Sequence, residues 1–461
     1  MRSVPLIAFY GDDFTGSTDA LECLAAAGLR AVLFTDVPTP EMLARFDALD
    51  AIGIAGNSRS LTPAEMDVVV PPVLEALRRT YAPILHYKVC STFDSSPTVG
   101  SFGRVLDLAR NVLQANVIPV VVGAPELGRY SLFGTLFARH NVDGTVHRID
   151  RHPTMSIHPT TPMREADMRR HIGEQTTQRI DLLAAPEIAG STEQAAQALE
   201  RALSRKPDVL LIDIADQPAE ARVGALLERM AESEAPLFVL GSSGVEYALV
   251  SNWRRAGRLS AEPRAFQTGP VDQLFVLSGS CSPATGAQIV AALRAGFAEV
   301  ALDPLALIKD GPEGSHGQDA TERIARLLGE GRDVVAHSSI GMSDPREIAV
   351  SEHFARSGLS PDESRIAAGR TLAVAMGSIL KRVLDRVTLR RFVVAGGDTS
   401  TTAIRMLGID ALEMVAPLFP GAPLCRASAP GRGLDGCELV LKGGQMGGPD
   451  FFSQAKIGHI P

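Results

Sequence analysis

The sequence predicts an α/β protein of two domains, each with a mostly parallel sheet covered by helices. The chain has 461 residues, more than a single domain usually holds. An apolar, β-branched run followed by a small-residue loop and a helical segment recurs along it, the pattern of parallel strands linked by helices. Residues 254–270, rich in charge, proline and glycine, lack this pattern. We therefore expect domains at 1–258 and 271–461.

The clearest elements follow the chain in order. An apolar run at 5–10 predicts a strand, and TDALECLAAAG predicts a helix that ends near Gly28, before a strand at 31–34. Later strands, each with a polar loop and a helix behind it, are predicted at 236–240, 274–278 and 391–395. Ligands bind beyond the carboxyl ends of strands in such sheets, so these loops are candidate sites, although a tight turn explains any single loop equally well.

Composition excludes several classes of function. A formal net charge of −8 disfavours a nucleic-acid partner. No run of eighteen apolar residues is present, and the N-terminus lacks the pattern of a signal peptide, so we expect no membrane association. The five cysteines are scattered without a CxxC pair, which favours neither a zinc site nor a disulfide framework and predicts a reducing, cytoplasmic location.

Two adjacent carboxylates, Asp12 and Asp13, stand between the first strand and the first helix in GDDFTGS. Neighbouring acids repel unless solvent, a cation or a donor-rich ligand separates their charges. The alternative is that they cap the helix together with Thr15 and Ser17. Taken alone, the motif leaves both interpretations open.

Two further polar loops follow predicted strands in the first half. Arg59 in GNSRS has the geometry to bind a carboxylate bidentately. In YKVCSTFDSS, Lys88 suits a carboxylate or phosphate and Asp94 suits sugar hydroxyls. For the loop with Lys88 and Asp94, the alternative is a surface loop with one ion pair. Three such loops at strand ends favour a site for a small polyhydroxy acid.

Glycine-rich and serine-rich loops mark the second half. SGSCSPATG and AGGDTSTT each follow a strand and open a helix, which is what a phosphate-binding loop requires. Backbone or hydroxyl groups at Ser280, Ser282, Gly396 and Gly397 are the expected phosphate contacts. KGGQMGG follows a third strand, and the Walker signature is absent.

Other motifs carry less weight. GRGLDG matches the dinucleotide fingerprint but precedes a predicted strand, so a Rossmann-like oxidoreductase is a weaker alternative. His152 and His158 lack metal-ligand spacing. GSSGV is not the GxSxG of serine hydrolases.

Six segments, taken in order along the chain, resemble the four-carbon acid sugar kinase family, also called Hrp-dependent outer proteins. They are GDDFTG at 11–16, YKVCSTFDS at 87–95, HPTTPM at 158–163, SGSCS at 278–282, GGDTS at 396–400 and KGG at 442–444.

The resemblance implies ATP-dependent phosphorylation of the C4 hydroxyl of a tetronate: threonate, erythronate or a 3-oxo-tetronate. It also implies an N-terminal acid-sugar domain and a C-terminal nucleotide domain with the active site in the cleft between them. Magnesium is expected with ATP. CSTFDS and HPTTPM are similar to the oxo-tetronate branch, whereas GGQMGG departs from the usual form after the lysine, so the substrate stays open.

We hypothesise two sets of site residues. The acid sugar is assigned to Asp12, Asp13, Arg59, Lys88 and Asp94. The resemblance places ATP at Ser278, Ser280, Gly396, Gly397, Asp398, Thr399 and Gly443. Asp398 is the expected base that deprotonates the attacking hydroxyl, with Asp13 as the alternative. A non-catalytic acid-sugar binding protein is a further alternative, and the oligomeric state, including a homodimer, is left open.

Overall fold

A computed structural model describes residues 4–140, 143–158, 161–233, 236–260, 266, 268–341, 343–356 and 361–458. The chain divides into two compact units. The first comprises Met1–Val32 and Asp36–Arg264, and the second comprises Leu33–Thr35 and Ala265–Pro461. Pro159 and Thr160 of the HPTTPM segment, and part of the predicted linker, lie outside the described residues.

The strands of the first unit, counting β2 although its last two residues belong to the second unit, lie in two sheets. They are β1 (Ile7–Gly11), β2 (Ala31–Phe34), β3 (Ala51–Ala55), β4 (Ile84–Lys88), β5 (Ile118–Val121), β6 (Arg129–Leu132), β7 (Thr135–Arg139), β8 (Val146–Arg148), β9 (Ile180–Leu183), β10 (Val209–Ile212) and β11 (Leu237–Gly241). The large sheet has the order β2-β3-β1-β4-β11-β5-β10-β9, and its pairs from β3 to β9 are parallel. A small antiparallel sheet contains β6, β7 and β8.

Helices connect these strands. They are α1 (Phe14–Ala26), α2 (Pro40–Ala44), α3 (Pro63–Arg78), α4 (Phe102–Leu113), α5 (Met168–Gly173), α6 (Ala185–Ile188), α7 (Thr192–Ser204), α8 (Gln217–Ser233) and α9 (Gly244–Arg255). Gly28, the predicted end of α1, follows the C-cap Ala27 and adopts a positive φ of 94°, which glycine tolerates without strain.

Parallel register aligns the strand ends of the first unit. Gly11 at the end of β1 is level with Ala55 of β3 and with Lys88 of β4, and Lys88 is level with Gly241 of β11. The loops that follow these strands therefore leave the sheet at one edge. Beneath them, wholly buried strands such as Ile118–Val121 form part of a continuous apolar core, as expected for a sheet covered on both faces.

The second unit contains both parallel and antiparallel strands. Its strands are β12 (Phe275–Ser278), β13 (Ala298–Ala301), β14 (Val334–His337), β15 (Arg391–Ala395), β16 (Ala411–Phe419), β17 (Ala422–Ser428) and β18 (Glu438–Lys442). In the order β13-β14-β12-β15-β18-β17-β16, the pairs from β13 to β18 are parallel and the last two pairs are antiparallel.

Helices of the second unit cover this sheet. They are α10 (Pro283–Arg294), α11 (Pro304–Asp310), α12 (Ser315–Gly329), α13 (Pro345–Ala355), α14 (Pro361–Leu384), α15 (Gly397–Leu407) and α16 (Phe451–Ile457). Ser278 is in register with Ala395, and Ala395 with Lys442, so three loops leave this sheet at the same edge.

The predicted fold class is confirmed: both units are α/β, with mostly parallel sheets and helical connections. The strands predicted at 31–34 and 391–395 occur with those bounds. Within the described ranges, no helix combines the length and the apolar character needed to cross a membrane. The placement of the active site in a cleft between the domains stays a prediction.

Candidate active site

Asp13 caps helix α1. Its backbone is extended, and its carboxylate accepts hydrogen bonds from the Gly16 backbone N–H at 2.5 Å and from Thr15 Oγ1 at 3.0 Å. The capping interpretation is therefore correct for Asp13. One of its oxygens also accepts from Arg59 Nη1 at 3.1 Å, so this residue additionally joins an ion-pair network.

Asp12 has a different environment from its neighbour. It is 2% exposed, and within the described ranges neither of its carboxyl oxygens has a hydrogen-bond partner. Burial, followed by the charge of Asp13, raises the pKa of Asp12 to about 8. Burial therefore favours the uncharged form of Asp12, and in the described part of the chain its oxygens lack the partners that a buried carboxyl group normally has.

Arg59 bridges two carboxylates of the protein. Besides Asp13 it contacts Asp94, whose carboxylate accepts from Arg59 Nη2 at 2.6 Å. Asp94 also accepts from Thr92 Oγ1 at 2.5 Å and from Thr161 Oγ1 at 2.8 Å. Burial opposes the charge of Asp94, but Arg59 and then the other neighbours hold its pKa well below the ordinary value. The Arg59 side chain stays 25% exposed while it holds these contacts.

Lys88 ends strand β4 and is buried beneath the start of α1. Its Nζ lies 3.2 Å from Asp19 Oδ2 and donates to the Val89 carbonyl at 3.1 Å. Burial disfavours the charge, yet Asp19, followed by Cys90 and more weakly acting carboxylates, keeps the pKa of Lys88 above its ordinary value. A Cβ placed on Gly16 would lie 3.3 Å from Nζ, so the ammonium lies close beneath the capped turn.

The structure thus brings together most of the residues predicted to bind the acid. Asp13, Arg59 and Asp94 form one network, and Asp12 adjoins it in the chain. Lys88 reaches the same turn through Gly16 but pairs with Asp19.

In the second unit, three loops lie so close together that several of their glycines leave no room for a side chain. A Cβ on Gly279 would lie 2.1 Å from Thr399 Oγ1, and a Cβ on Gly444 would lie 2.7 Å from Ser280 Oγ. Gly396 adopts a φ of 117° and would place a Cβ 3.3 Å from the Ser280 nitrogen. We call these loops, residues 278–282, 396–399 and 443–444, the glycine cradle. Their closeness requires glycine, as in loops that hold phosphate through backbone amides.

Two helices start at the cradle. Ser282 is the N-cap of α10, yet its hydroxyl is buried and has no hydrogen-bond partner in the part of the chain that the structure describes. Helix α15 begins at Gly397, with the exposed Asp398 in its first turn. Helix N-termini attract anions, so this set of donors fits the phosphates of a nucleotide.

The predicted serines support the cradle from within. Ser278 is fully buried, and its Oγ lies 3.5 Å from the Ser280 nitrogen. Ser280 Oγ in turn accepts from the Ser282 nitrogen at 3.2 Å. These contacts order the loop that leads into α10.

Four residues of these sites had no role assigned from the sequence: Asp19, Thr161, Thr285 and Lys442. Of these, Thr161 and Lys442 lie in the HPTTPM and KGG segments. Lys442 Nζ donates to Thr285 Oγ1 at 2.8 Å at the base of the cradle. A signal existed, because three apolar residues precede Lys442 in its strand and two glycines follow it. For metals, among the described residues no group of three or more His, Cys, Asp or Glu side chains could hold an ion.

Comparison with known proteins agrees with this division of sites. A family model described as a sugar-binding N-terminal domain matches residues 7–249, and one described as a nucleotide-binding C-terminal domain matches residues 275–452. The fold and the two sites thus define a two-domain acid-sugar kinase.

Curated relatives cover almost the whole chain. A 3-oxo-isoapionate kinase of Paraburkholderia graminis is 44% identical over 99% of this chain and 95% of its own. A 3-oxo-tetronate kinase of Pseudomonas savastanoi pv. phaseolicola is 31% identical over 98% of this chain and 96% of its own. The chain belongs to the four-carbon acid sugar kinase family, which confirms the family and the kinase activity predicted from the sequence.

Two solved structures share the fold. One, titled a putative tRNA synthase from Salmonella typhimurium LT2, has a TM-score of 0.75 at 24% identity and covers 97% of this chain and 98% of its own. The other, Haemophilus influenzae protein HI1011, has a TM-score of 0.66 at 23% identity and covers 97% of this chain and 99% of its own. At these identities the likeness concerns the fold alone.

Proposed function

We propose that this protein transfers the γ-phosphoryl group of ATP to the C4 hydroxyl of a 3-oxo sugar acid. The curated relatives are named as kinases of 3-oxo acids, either 3-oxo-isoapionate or 3-oxo-tetronate. The relative with 44% identity is a 3-oxo-isoapionate kinase. That identity favours 3-oxo-isoapionate over 3-oxo-tetronate as the first acid to test. Threonate and erythronate, which lack the 3-oxo group, are the remaining candidates.

One observation carries this proposal: the buried carboxyl group of Asp12 has no hydrogen-bond partner among the described residues. A buried polar group without a partner costs free energy that a hydrogen bond from a ligand would recover. The group lies next to Asp13 in the chain, and Asp13 belongs to the Arg59 network. A polyhydroxy acid would supply the missing donor.

Each residue of the acid site has a role in this proposal. Asp12 accepts a hydrogen bond from a substrate hydroxyl. Arg59, partly exposed, and Lys88 attract the carboxylate and the 3-oxo group. Asp13 and Asp94 hold the guanidinium of Arg59 in position.

The glycine cradle would bind ATP. Backbone amides and the N-termini of α10 and α15 suit the phosphates. The residues assigned to the nucleotide are Ser278, Ser280, Gly396, Gly397, Asp398, Thr399 and Gly443. Magnesium, when bound with ATP, neutralises charge on the phosphates and usually takes few protein ligands.

Asp398 is also our proposed base. Its exposed carboxylate lies in the first turn of α15, beside the cradle, where a γ-phosphate and an incoming hydroxyl would meet. Asp13 is the alternative, and its oxygens accept hydrogen bonds from Gly16, Thr15 and Arg59.

ADP release tests the proposal. The purified protein is given ATP and magnesium with each acid in turn: 3-oxo-isoapionate, 3-oxo-tetronate isomers, threonate and erythronate. Release that requires a 3-oxo acid supports the proposal. Binding of an acid without turnover would favour a non-catalytic binding protein, and nicotinamide reduction in the same mixtures would favour an oxidoreductase.

A further inference from the structure

Lys442 is a fully buried lysine with three neutral acceptors. Its Nζ donates to Thr285 Oγ1 at 2.8 Å, to the Gly443 carbonyl at 2.9 Å and to the Gly444 carbonyl at 3.2 Å. An ammonium carries three N–H donors, so this environment matches the charged form. None of the ion pairs in the described part of the chain includes Lys442.

A buried charge without a counter-ion is costly. Burial is the cause that lowers the pKa of Lys442 to about 7, against an ordinary value of 10.5. The elements around it carry the following charged side chains: Arg294 of α10, Arg391 of β15, Asp398 and Arg405 of α15, Arg426 of β17, Glu438 of β18, Lys456 of α16 and Asp450, the N-cap of α16. An anion bound at the cradle would supply the missing counter-charge.

The contacts of Lys442 also shape the loop behind β18. Lys442 donates to two carbonyls of this loop, those of Gly443 and Gly444. Gln288 Nε2 of α10 donates to two more, those of Met446 and Gly447, at 2.9 Å each. A planar trans peptide with its carbonyl held on one side points its N–H to the other. Gly444 is held against Ser280 within the cradle.

We propose that Lys442 is a positioning residue for the nucleotide. It fixes Gly443 and Gly444 as one wall of the glycine cradle, and its ammonium is the buried positive charge that a nucleoside di- or triphosphate requires. This inference rests on the proposed function, in which the cradle binds ATP. A lysine that served only to tie the loop to α10 would have no influence on the pH dependence of nucleotide binding.

Calorimetric titration with ADP and magnesium between pH 7 and pH 9.5 separates these roles. A phosphate with its second pKa about 6 is ionised throughout this range, so Lys442 is the titrating group under test. As the pH rises above the pKa of Lys442 in the nucleotide-free protein, the lysine loses its charge. The affinity of the wild-type protein for ADP should then fall. We expect Lys442→Met to bind ADP about tenfold more weakly at pH 7 and without this pH dependence. The control Lys381→Met removes an exposed lysine of α14 and keeps the wild-type profile.

Two results would overturn the inference alone. One is wild-type ADP affinity and pH profile in Lys442→Met, even with a lowered melting temperature, since that describes a structural lysine. Should Lys442→Met fail to fold, Thr285→Val and Thr285→Ser provide the second test. The valine variant loses one acceptor of Lys442 and the hydroxyl that donates to the Gly444 carbonyl, so it should bind ADP more weakly than the serine variant. Equal affinities would refute the inference. A wild-type protein that binds no nucleotide would instead overturn the proposed function, and this inference with it.

Discussion

The guanidinium of Arg59 donates to the carboxylate of Asp94 at 2.6 Å, across 35 positions of sequence. The same guanidinium reaches Asp13 at 3.1 Å, so one side chain connects the loops behind β1, β3 and β4. The proposed acid site is therefore built on a preformed ion-pair network, and changes to that network should affect the acid before they affect ATP.

Arg59→Lys tests this network. A lysine keeps the charge but cannot reproduce the two-pronged contact with Asp13 and Asp94. Loss of charged hydrogen bonds should lower kcat/KM for the acid about 100-fold, with KM for ATP changed by less than about twofold. Steady-state kinetics with each substrate varied measures both. The control Arg78→Lys alters an exposed pair with Glu75, and equal acid kinetics in the two variants would contradict the assignment.

The raised pKa of Asp12 predicts a pH-dependent stability. The folded chain binds this proton more tightly than the unfolded chain does, so the free energy of unfolding falls as pH rises from about 4 to about 8. Asp12→Asn removes the titration. Its melting temperature relative to wild type should therefore increase between pH 5 and pH 8. Asp47→Asn, at an exposed position, serves as the control. If the melting temperatures of Asp12→Asn and wild type differed by the same amount from pH 5 to pH 8, the buried environment of the Asp12 carboxyl would be refuted.

Asp398→Asn tests the proposed base. Removal of a general base commonly lowers turnover about 100-fold or more, and we expect that loss in kcat with ATP affinity by calorimetry nearly unchanged. Asp385→Asn, on the exposed face of the same unit, should retain activity. Weakened ATP binding with normal turnover at saturation would make Asp398 a nucleotide or metal ligand instead.

The cradle predicts a sharp difference between two glycines. Gly444→Ala would place a methyl group 2.7 Å from Ser280 Oγ, whereas Gly433→Ala meets nothing within 4 Å. Crowding of this kind should raise the KM for ATP about tenfold in Gly444→Ala. The KM for ATP of Gly433→Ala should equal that of the wild type. Acid binding should stay the same in both variants. Equal KM values for ATP would argue against a cradle that includes Gly444.

Local features of the sequence predicted the fold well. Strands such as Arg391–Ala395 are short, continuous apolar runs between polar loops, and burial on both faces of a parallel sheet requires that pattern. The antiparallel pair β16 and β17 was not predicted. Its strand Ala411–Phe419 alternates buried with more exposed positions and contains a proline, a weaker signal than a continuous apolar run.

The sequence predicted the kinds of residue in the site, but not which of them contact one another. Capping by Asp13 is local and could be inferred from its neighbours in the sequence. The contact of Asp94 with Thr161 joins residues 67 positions apart, and it depends on how distant segments pack together. Burial of Lys442 was equally hidden, because lysine is mostly exposed in proteins and only packing shows where its ammonium lies.

The most direct test of the central claim is to locate the transferred phosphate. The product formed from ATP and the accepted 3-oxo acid is examined by ¹³C NMR, in which coupling to phosphorus marks the carbon that carries the phosphate. We expect coupling at C4 of an otherwise intact 3-oxo acid. Phosphate at another carbon or on the carboxylate, or ADP release without a phosphorylated acid, would contradict it.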